Sequence, residues 1–217
     1  MKISQKSKGL DSFVQAVLRQ DIQVGEVLRR TELCEKLEIS MSPLRELLVL
    51  LEELELVEVK PRAGFKIIYP SLDFMSENMR FRVMIENSAI EAFAGNVRPD
   101  WINDQLIKHK DAIAGLEEAE DLQEWNDYIV DFDRAFHRTI VAALDNKAVT
   151  KAHEYIQTKL RIARLVHRRV PPRKTNLIAM QDHLAILDAL KTGDLGNVRT
   201  ALDAHFVQSV RNTLVGY

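Results

Sequence analysis

The 217-residue chain carries 30 Lys and Arg against 32 Asp and Glu, a formal net charge of −2. That length suits a small module plus a second domain with its own core, and the balanced charge excludes binding of polyanions through overall basicity. One cysteine, Cys34, excludes an intrachain disulfide framework. The start MKISQKSKGLDS lacks the apolar core of a signal peptide, and no apolar run approaches membrane-spanning length, so a cytoplasmic protein is expected.

Leu10–Arg19 sets Leu10, Phe13, Val14, Val17 and Leu18 at helical spacing and predicts a first helix, followed by a turn at Asp21–Gly25. The stretch Thr31–Val59 (TELCEKLEISMSPLRELLVLLEELELVEV) then reads as two short helices. Thr31 is expected to cap the first, with Leu33, Cys34 and Leu37 as its apolar positions. After a break at Glu38-Ile39-Ser40, Ser42 is expected as N-cap and Pro43 as first helical residue, ahead of Leu44, Leu47, Leu48, Leu51 and Leu54. VEVKPRAGFKIIYP adds two β-rich runs around Pro61–Gly64. Helix, turn, helix, two-stranded wing is the order of a winged helix-turn-helix, whose second helix enters the DNA major groove; a helical hairpin that merely packs shares the periodicity. Lys2, Lys6, Lys8, Arg29, Arg30, Arg45, Lys60, Arg62 and Lys66 supply a local basic patch for phosphates.

A hinge is expected at Tyr69-Pro70-Ser71, dividing a DNA-binding domain over 1–70 from a second domain over 71–217. From Leu72 the chain reads as helices near 72–95, 100–119, 121–144, 147–168, 174–192 and 194–214, separated at Pro99, Glu120-Asp121, Asp145-Asn146, Pro171-Pro172 and Gly193-Asp194. The expected fold is mainly α: a winged helix followed by an antiparallel bundle of about six helices.

Several polar residues sit on apolar faces of this bundle. In 121–144 the stripe Trp125, Ile129, Phe132, Phe136 and Ile140 encloses Asp133 and His137, which lie i, i+4 and point to one place. His183 is centred among Met180, Ile186, Leu187 and Leu190, and His205 lies with Val198, Ala201 and Leu202. A carboxylate on a buried face is costly unless paired, coordinated or hydrogen-bonded. One carboxylate with three histidines is a natural ligand set for a divalent transition metal, although each histidine alone is also an ordinary core side chain. Arg82 and Glu86 fall within the face of Met75, Met79, Val83, Ala89, Ile90 and Phe93. They read either as a buried ion pair or as an arginine held to clamp an organic acid. A metal with an open position can activate water. No further buried general base has motif support, however, so an enzyme is not expected.

The run LRRTELCEKLEISMSPLRELLVLLEELELVEVKPRAGFKI resembles the amino-terminal domain of GntR-family bacterial transcription regulators. Leu33, Leu37, Ile39, Ser40, Pro43, Arg45, Glu46, Leu51, Leu56, Val57, Arg62 and Gly64 fall in register with the recurrent pattern. The resemblance implies DNA contacts from Ser40, Ser42, Arg45, Lys60, Arg62 and Gly64. Three positions depart from it: Met41 replaces an arginine, Ser42 a threonine and Glu38 the glycine of the turn. A bidentate arginine–guanine contact discriminates by roughly 1–3 kcal/mol. Met41 cannot make it, so a changed or weaker operator preference is expected. The alternative is an effector-binding protein with a degenerate DNA domain.

Asp133-Arg134-Ala135-Phe136-His137, then His183 with Ile186, Leu187, Ala189 and Leu190, then Ala204-His205, resemble the FCD ligand-binding domain of the FadR branch. Six helices suggest its VanR-like subgroup. This implies zinc or nickel on Asp133, His137, His183 and His205, with Arg82 and Glu86 at an adjacent effector pocket and Arg161 and Arg164 as further candidates. It also implies a homodimer on a pseudo-palindromic DNA operator, a small carboxylate effector, and repression released by that effector. His109, His153 and His167 lack counterparts in the motif and are expected on the surface or in the core. The basic connection Arg168–Lys174 is read as a solvated loop, with a lid as the alternative.

Overall fold

The computed structural model describes residues 5–68, 70–120, 122–166 and 172–214. Lys2, Tyr69, Asp121, His167 and most of the Arg168–Lys174 connection lie outside them, as do the side chains of Lys6 and Lys8. The elements are α1 (Gln5–Leu18), β1 (Val27–Leu28), α2 (Arg30–Leu37), α3 (Met41–Glu53), β2 (Val57–Lys60), β3 (Gly64–Ile67), α4 (Leu72–Ala94), α5 (Pro99–Glu118), α6 (Leu122–Ala142), α7 (Lys147–Val166), α8 (Arg173–Thr192) and α9 (Leu195–Leu214). The chain is mainly helical and separates into two compact units: Met1–Phe74 with Arg161–Arg168, and Met75–Leu160 with Arg169–Tyr217.

The first unit is a winged helix-turn-helix. Phe13 and Ala16 of α1, Leu33 and Leu37 of α2, and Leu44, Leu47, Leu48 and Leu51 of α3 are buried. Two caps differ from expectation. α2 starts at Arg30, so Thr31 is an exposed residue inside it; the Arg29 N–H donates instead to Glu32 Oε2 at 2.6 Å. α3 starts at Met41 with extended Ser40 as its N-cap, so Ser42 is helical and Pro43 is the third helical residue. Proline is still harmless there, because the first-turn N–H groups have no intrahelical acceptor.

β3 is the middle strand, pairing antiparallel with β2 (Val59 opposite Phe65) and with β1 (Leu28 opposite Phe65). β1 was not anticipated, because two residues are too short to show a period. Gly64 has φ 130°, and a Cβ there would lie 2.3 Å from the Leu28 carbonyl oxygen. The strand contact itself therefore demands glycine. Glu38 closes α2 in the left-handed region at φ 54°.

In the second unit α5 packs on α8, α8 on α9, and α6 on both α5 and α8. Its core includes Phe93 and Ile102, Phe136 and Ile140, Ile156 and Leu160, Ile186 and Leu187, and Leu202 and Phe206, from all six helices. A smaller cluster of Ala112, Leu116, Ile129 and Met180 lies under Trp125. Gly115 admits that indole: a Cβ there would sit 2.0 Å from Trp125 Cη2. The Asn176 amide donates to Asn126 Oδ1 and a ring contact joins His183 to His137, so α6 and α8 run parallel. Pro99 opens α5 behind the N-cap Arg98. Among the described residues, no helix is long and apolar enough to cross a membrane.

The left-handed conformation of Glu38 costs a non-glycine residue roughly 1–2 kcal/mol. Its side chain is exposed. Glu38→Gly is expected to raise the urea midpoint of the winged helix, offset in part by the entropy of glycine in the unfolded chain. A lower midpoint would show that the carboxylate contributes more than the backbone strain.

Candidate functional site

Four side chains converge where α6, α8 and α9 meet. Asp133, His137, His183 and His205 each offer one ligand atom, and these atoms all lie within 4.8 Å of one another. The helical periods produce this convergence. Asp133 and His137 share a face of α6, while Met180, Ile186, Leu187 and Leu190 bury the face of α8 that carries His183. Val198 and Leu202 bury the α9 face of His205.

Asp133 Oδ1 stands 3.6 Å from His137 Nε2 and 3.5 Å from His183 Nε2. The two Nε2 atoms are 3.2 Å apart. His205 stacks on His137 and packs tilted against His183, with ring centroids 5.1 and 4.8 Å away. Its two ring nitrogens are buried without a hydrogen-bond partner, although Asp182 Oδ2 approaches Nδ1 to 3.5 Å. Buried polar atoms without partners are rare, and each calls for an explanation. A divalent ion fits this donor set of one carboxylate and three imidazoles. Asp133, whose side chain is 23% exposed, is the one ligand open toward solvent.

A second charged group is built against the first. Arg82 Nε donates to Glu86 Oε1 at 2.7 Å, with both side chains essentially inaccessible. Glu86 Oε2 contacts His137 Nδ1 at 2.5 Å, and Glu86 Oε1 contacts His153 Nε2 at 2.8 Å. Arg82 Nη2 is left buried without a partner, and its guanidinium lies 5.6 Å from the centroid of the Phe206 ring. Burial alone would raise the Glu86 pKa, but Arg82 and then His137 hold it well below the usual carboxylate range. Burial also opposes the charge on Arg82, and Glu86 and Asp133 more than restore it. For His137, burial favours the neutral ring, but Glu86 and Asp133 outweigh burial and Arg82, and the net direction is up. Burial, then the neighbouring His205 and His137, hold His183 well below its ordinary value, and burial lowers His205.

The structure brings together Asp133, His137, His183 and His205, and sets Arg82 and Glu86 beside them. Arg161 and Arg164 lie on α7, two turns or more beyond His153. In the winged helix, Ser40, Ser42 and Arg45 are exposed at the start of α3 and Arg62 is exposed in the wing, while Lys60 pairs with Glu58 at 2.5 Å. Two histidines of the site were missed. His153 is buried on Glu86, and His109 is buried with Nε2 3.2 Å from His183 Nδ1. The available signal was that each shares the apolar face of its helix, His109 with Ile102, Ala112 and Leu116, and His153 with Ile156 and Leu160.

A winged helix followed by a helical bundle with a metal-type donor cluster defines a DNA-binding regulator with an effector-binding domain. Residues 11–67 match the family model of bacterial regulatory proteins of the gntR family, and residues 77–208 match the FCD domain. The chain belongs to the GntR family of transcriptional regulators and carries its FCD effector-binding domain. It is 25% identical over 198 residues to an HTH-type transcriptional regulator in an unstable DNA locus of Streptomyces ambofaciens, covering 88% of this chain and 77% of that one. It is 23% identical over 186 residues to the HTH-type transcriptional regulator YdhC of Bacillus subtilis, covering 84% of this chain and 79% of that protein. Among solved structures, E. coli McbR/YncC aligns over 99% of each chain with TM-score 0.72 at 18% identity. A GntR regulator from Rhodococcus sp. RHA1 aligns over 99% of this chain and 100% of that one, with TM-score 0.68 at 16% identity.

Glu86→Gln is expected to destabilise the metal-free protein by about 3–5 kcal/mol, because it strands a buried arginine. The folded pKa of Glu86 is depressed, so its contribution is full above the ordinary value of 4.5 and is lost as pH falls toward the folded value. Urea melts between pH 7 and pH 3 check both points: the variant should be less stable at neutral pH and show a shallower acid limb.

Proposed function

We propose that this regulator is a repressor that binds an operator as a homodimer and releases it on sensing a small organic acid. The observation that carries the effector reading is Arg82 Nη2, a buried cationic donor without a partner, on a residue that shares Glu86 with the metal-type cluster. A guanidinium held on one side by a carboxylate keeps its remaining N–H groups directed at an incoming acid. Asp133, His137, His183 and His205 would hold zinc or nickel. Such an ion supplies a Lewis-acid partner for a carboxylate oxygen. Two recognition helices, each presenting Ser40, Ser42 and Arg45 with Arg62 in the wing, suit half-sites one helical repeat apart. The acid must favour the arrangement that does not bind DNA, since equal affinity for both arrangements would regulate nothing.

Met41 opens α3 half-buried where an arginine would read guanine. This favours a second reading, in which the effector domain acts without sequence-selective DNA binding. Selection of genomic fragments by the purified protein separates the two. A few enriched sites sharing an inverted repeat support the repressor, whereas uniform recovery that salt abolishes supports the second reading.

Arg45→Ala is expected to weaken operator binding about tenfold or more with the fold intact, read by fluorescence anisotropy; unchanged affinity would remove α3 from the groove. His183→Ala with His205→Ala should abolish stoichiometric zinc or nickel by elemental analysis, and retained metal would sink the ligand set. Arg82→Lys keeps the charge but loses the planar fork. It should weaken organic-acid binding in calorimetry while the thermal transition stays cooperative.

A further inference from the structure

We propose that His109, outside the four-residue ligand set, is the positioning residue that fixes His183 in its Nδ1–H tautomer and so reserves the His183 Nε2 lone pair for the metal centre. His109 Nδ1 lies 2.7 Å from the Gln105 carbonyl oxygen, one turn earlier on α5. A carbonyl only accepts, so Nδ1 of His109 carries the proton. In a neutral ring, Nε2 then holds only a lone pair. That Nε2 is 3.2 Å from His183 Nδ1. Nδ1 of His183 must therefore be the donor, which in the neutral ring leaves its Nε2 bare.

A doubly protonated His109 would reverse the last step, but its surroundings oppose the charge. The ring is buried between Phe132 and Phe136, with centroids at 4.5 and 5.2 Å. Its hydrogen-bond contacts are a carbonyl and an imidazole, with no carboxylate. Burying a cation without a hydrogen-bonded counter-charge costs far more than one hydrogen bond returns. Phe136 stacks on His183 at 4.4 Å and 23°, holding the plane in which the tautomer matters. The bare Nε2 then faces Asp133 Oδ1 at 3.5 Å and His137 Nε2 at 3.2 Å, the side on which the ion would sit. With the opposite tautomer, an N–H would point at the ion and His183 could not ligate. The chain Gln105 carbonyl, His109, His183 thus occupies Nδ1 of His183 on α8, as Glu86 occupies Nδ1 of His137 on α6.

The consequence for metal affinity rests on the metal reading above; the tautomer does not. Long-range proton–nitrogen correlation spectra, with histidines assigned by single substitutions, read the tautomer directly in metal-free and zinc-loaded protein. His109 and His183 should both be protonated at Nδ1 and bare at Nε2 in each. A metal-free His183 protonated at Nε2 instead overturns the proposal whether or not metal binds. Chelator competition then measures zinc affinity. His109→Leu should lose 10–100-fold, and His109→Gln, whose amide oxygen can accept the His183 proton, should recover most of it. Should His109→Leu not melt cooperatively, His109→Asn, polar but too short to reach His183, takes its place with the same expectation. Undiminished zinc affinity in the leucine or asparagine variant overturns the positioning role. Absence of stoichiometric zinc in the unsubstituted protein defeats the metal reading instead, and the spectra still decide the tautomer.

Discussion

The second unit depends on one buried carboxylate. Glu86 has no exposed surface, yet it remains the acceptor for Arg82, His137 and His153. A charge in that position is tolerable only with partners on several sides. Supplying them fixes where α4, α6 and α7 meet. Arg82 balances the charge, and the contact to His137 turns the Nε2 edge of that ring toward Asp133 and His183. Remove Glu86, and neither the arginine nor the imidazole has a reason to hold its orientation. A single ion pair, rather than the apolar core around it, thus specifies the chemistry of the site.

Residue periodicity carried the sequence reading a long way. Six helices of the second unit follow from apolar spacing and Pro, Gly or Asp breaks. The inward faces of α6, α8 and α9 announced Asp133, His137, His183 and His205, because a polar residue inside an apolar stripe needs a physical reason. Convergence was not legible. It depends on how helices rotate about their own axes when they pack, which no single helix encodes. His109 and His153 show the cost of leaning on motif positions. Both lie on buried faces by the same projection, and the core alternative holds for both, but no family pattern includes them, so periodicity alone does not assign them to the site. The caps failed for a local reason: Glu32 and Ser40 compete with Thr31 and Ser42 for the same helix starts, and propensity does not rank such neighbours.

In the winged helix the residues that depart from the family pattern fall into two kinds. Glu38 takes a left-handed conformation that glycine would adopt without strain, so the fold absorbs that change as a small loss of stability. Met41 sits half-buried at the first residue of α3, where the change alters what the protein can touch rather than how it folds. Gly64 is retained, and the reason is steric: the Leu28 carbonyl occupies the space a side chain would need.

Each helix of the second unit sends at least one polar side chain toward the same region: Arg82 and Glu86 from α4, His109 from α5, Asp133 and His137 from α6, His153 from α7, His183 from α8 and His205 from α9. No helix can then peel away alone without exposing a buried polar partner on its neighbours. Partial opening, which in many bundles begins with a terminal helix, is penalised here at every position. The amides of these six helices should therefore exchange with solvent as one cooperative unit. A molecule that docks at the shared region acts on all six at once, which makes the bundle suited to relaying an event at its centre and poorly suited to absorbing it locally.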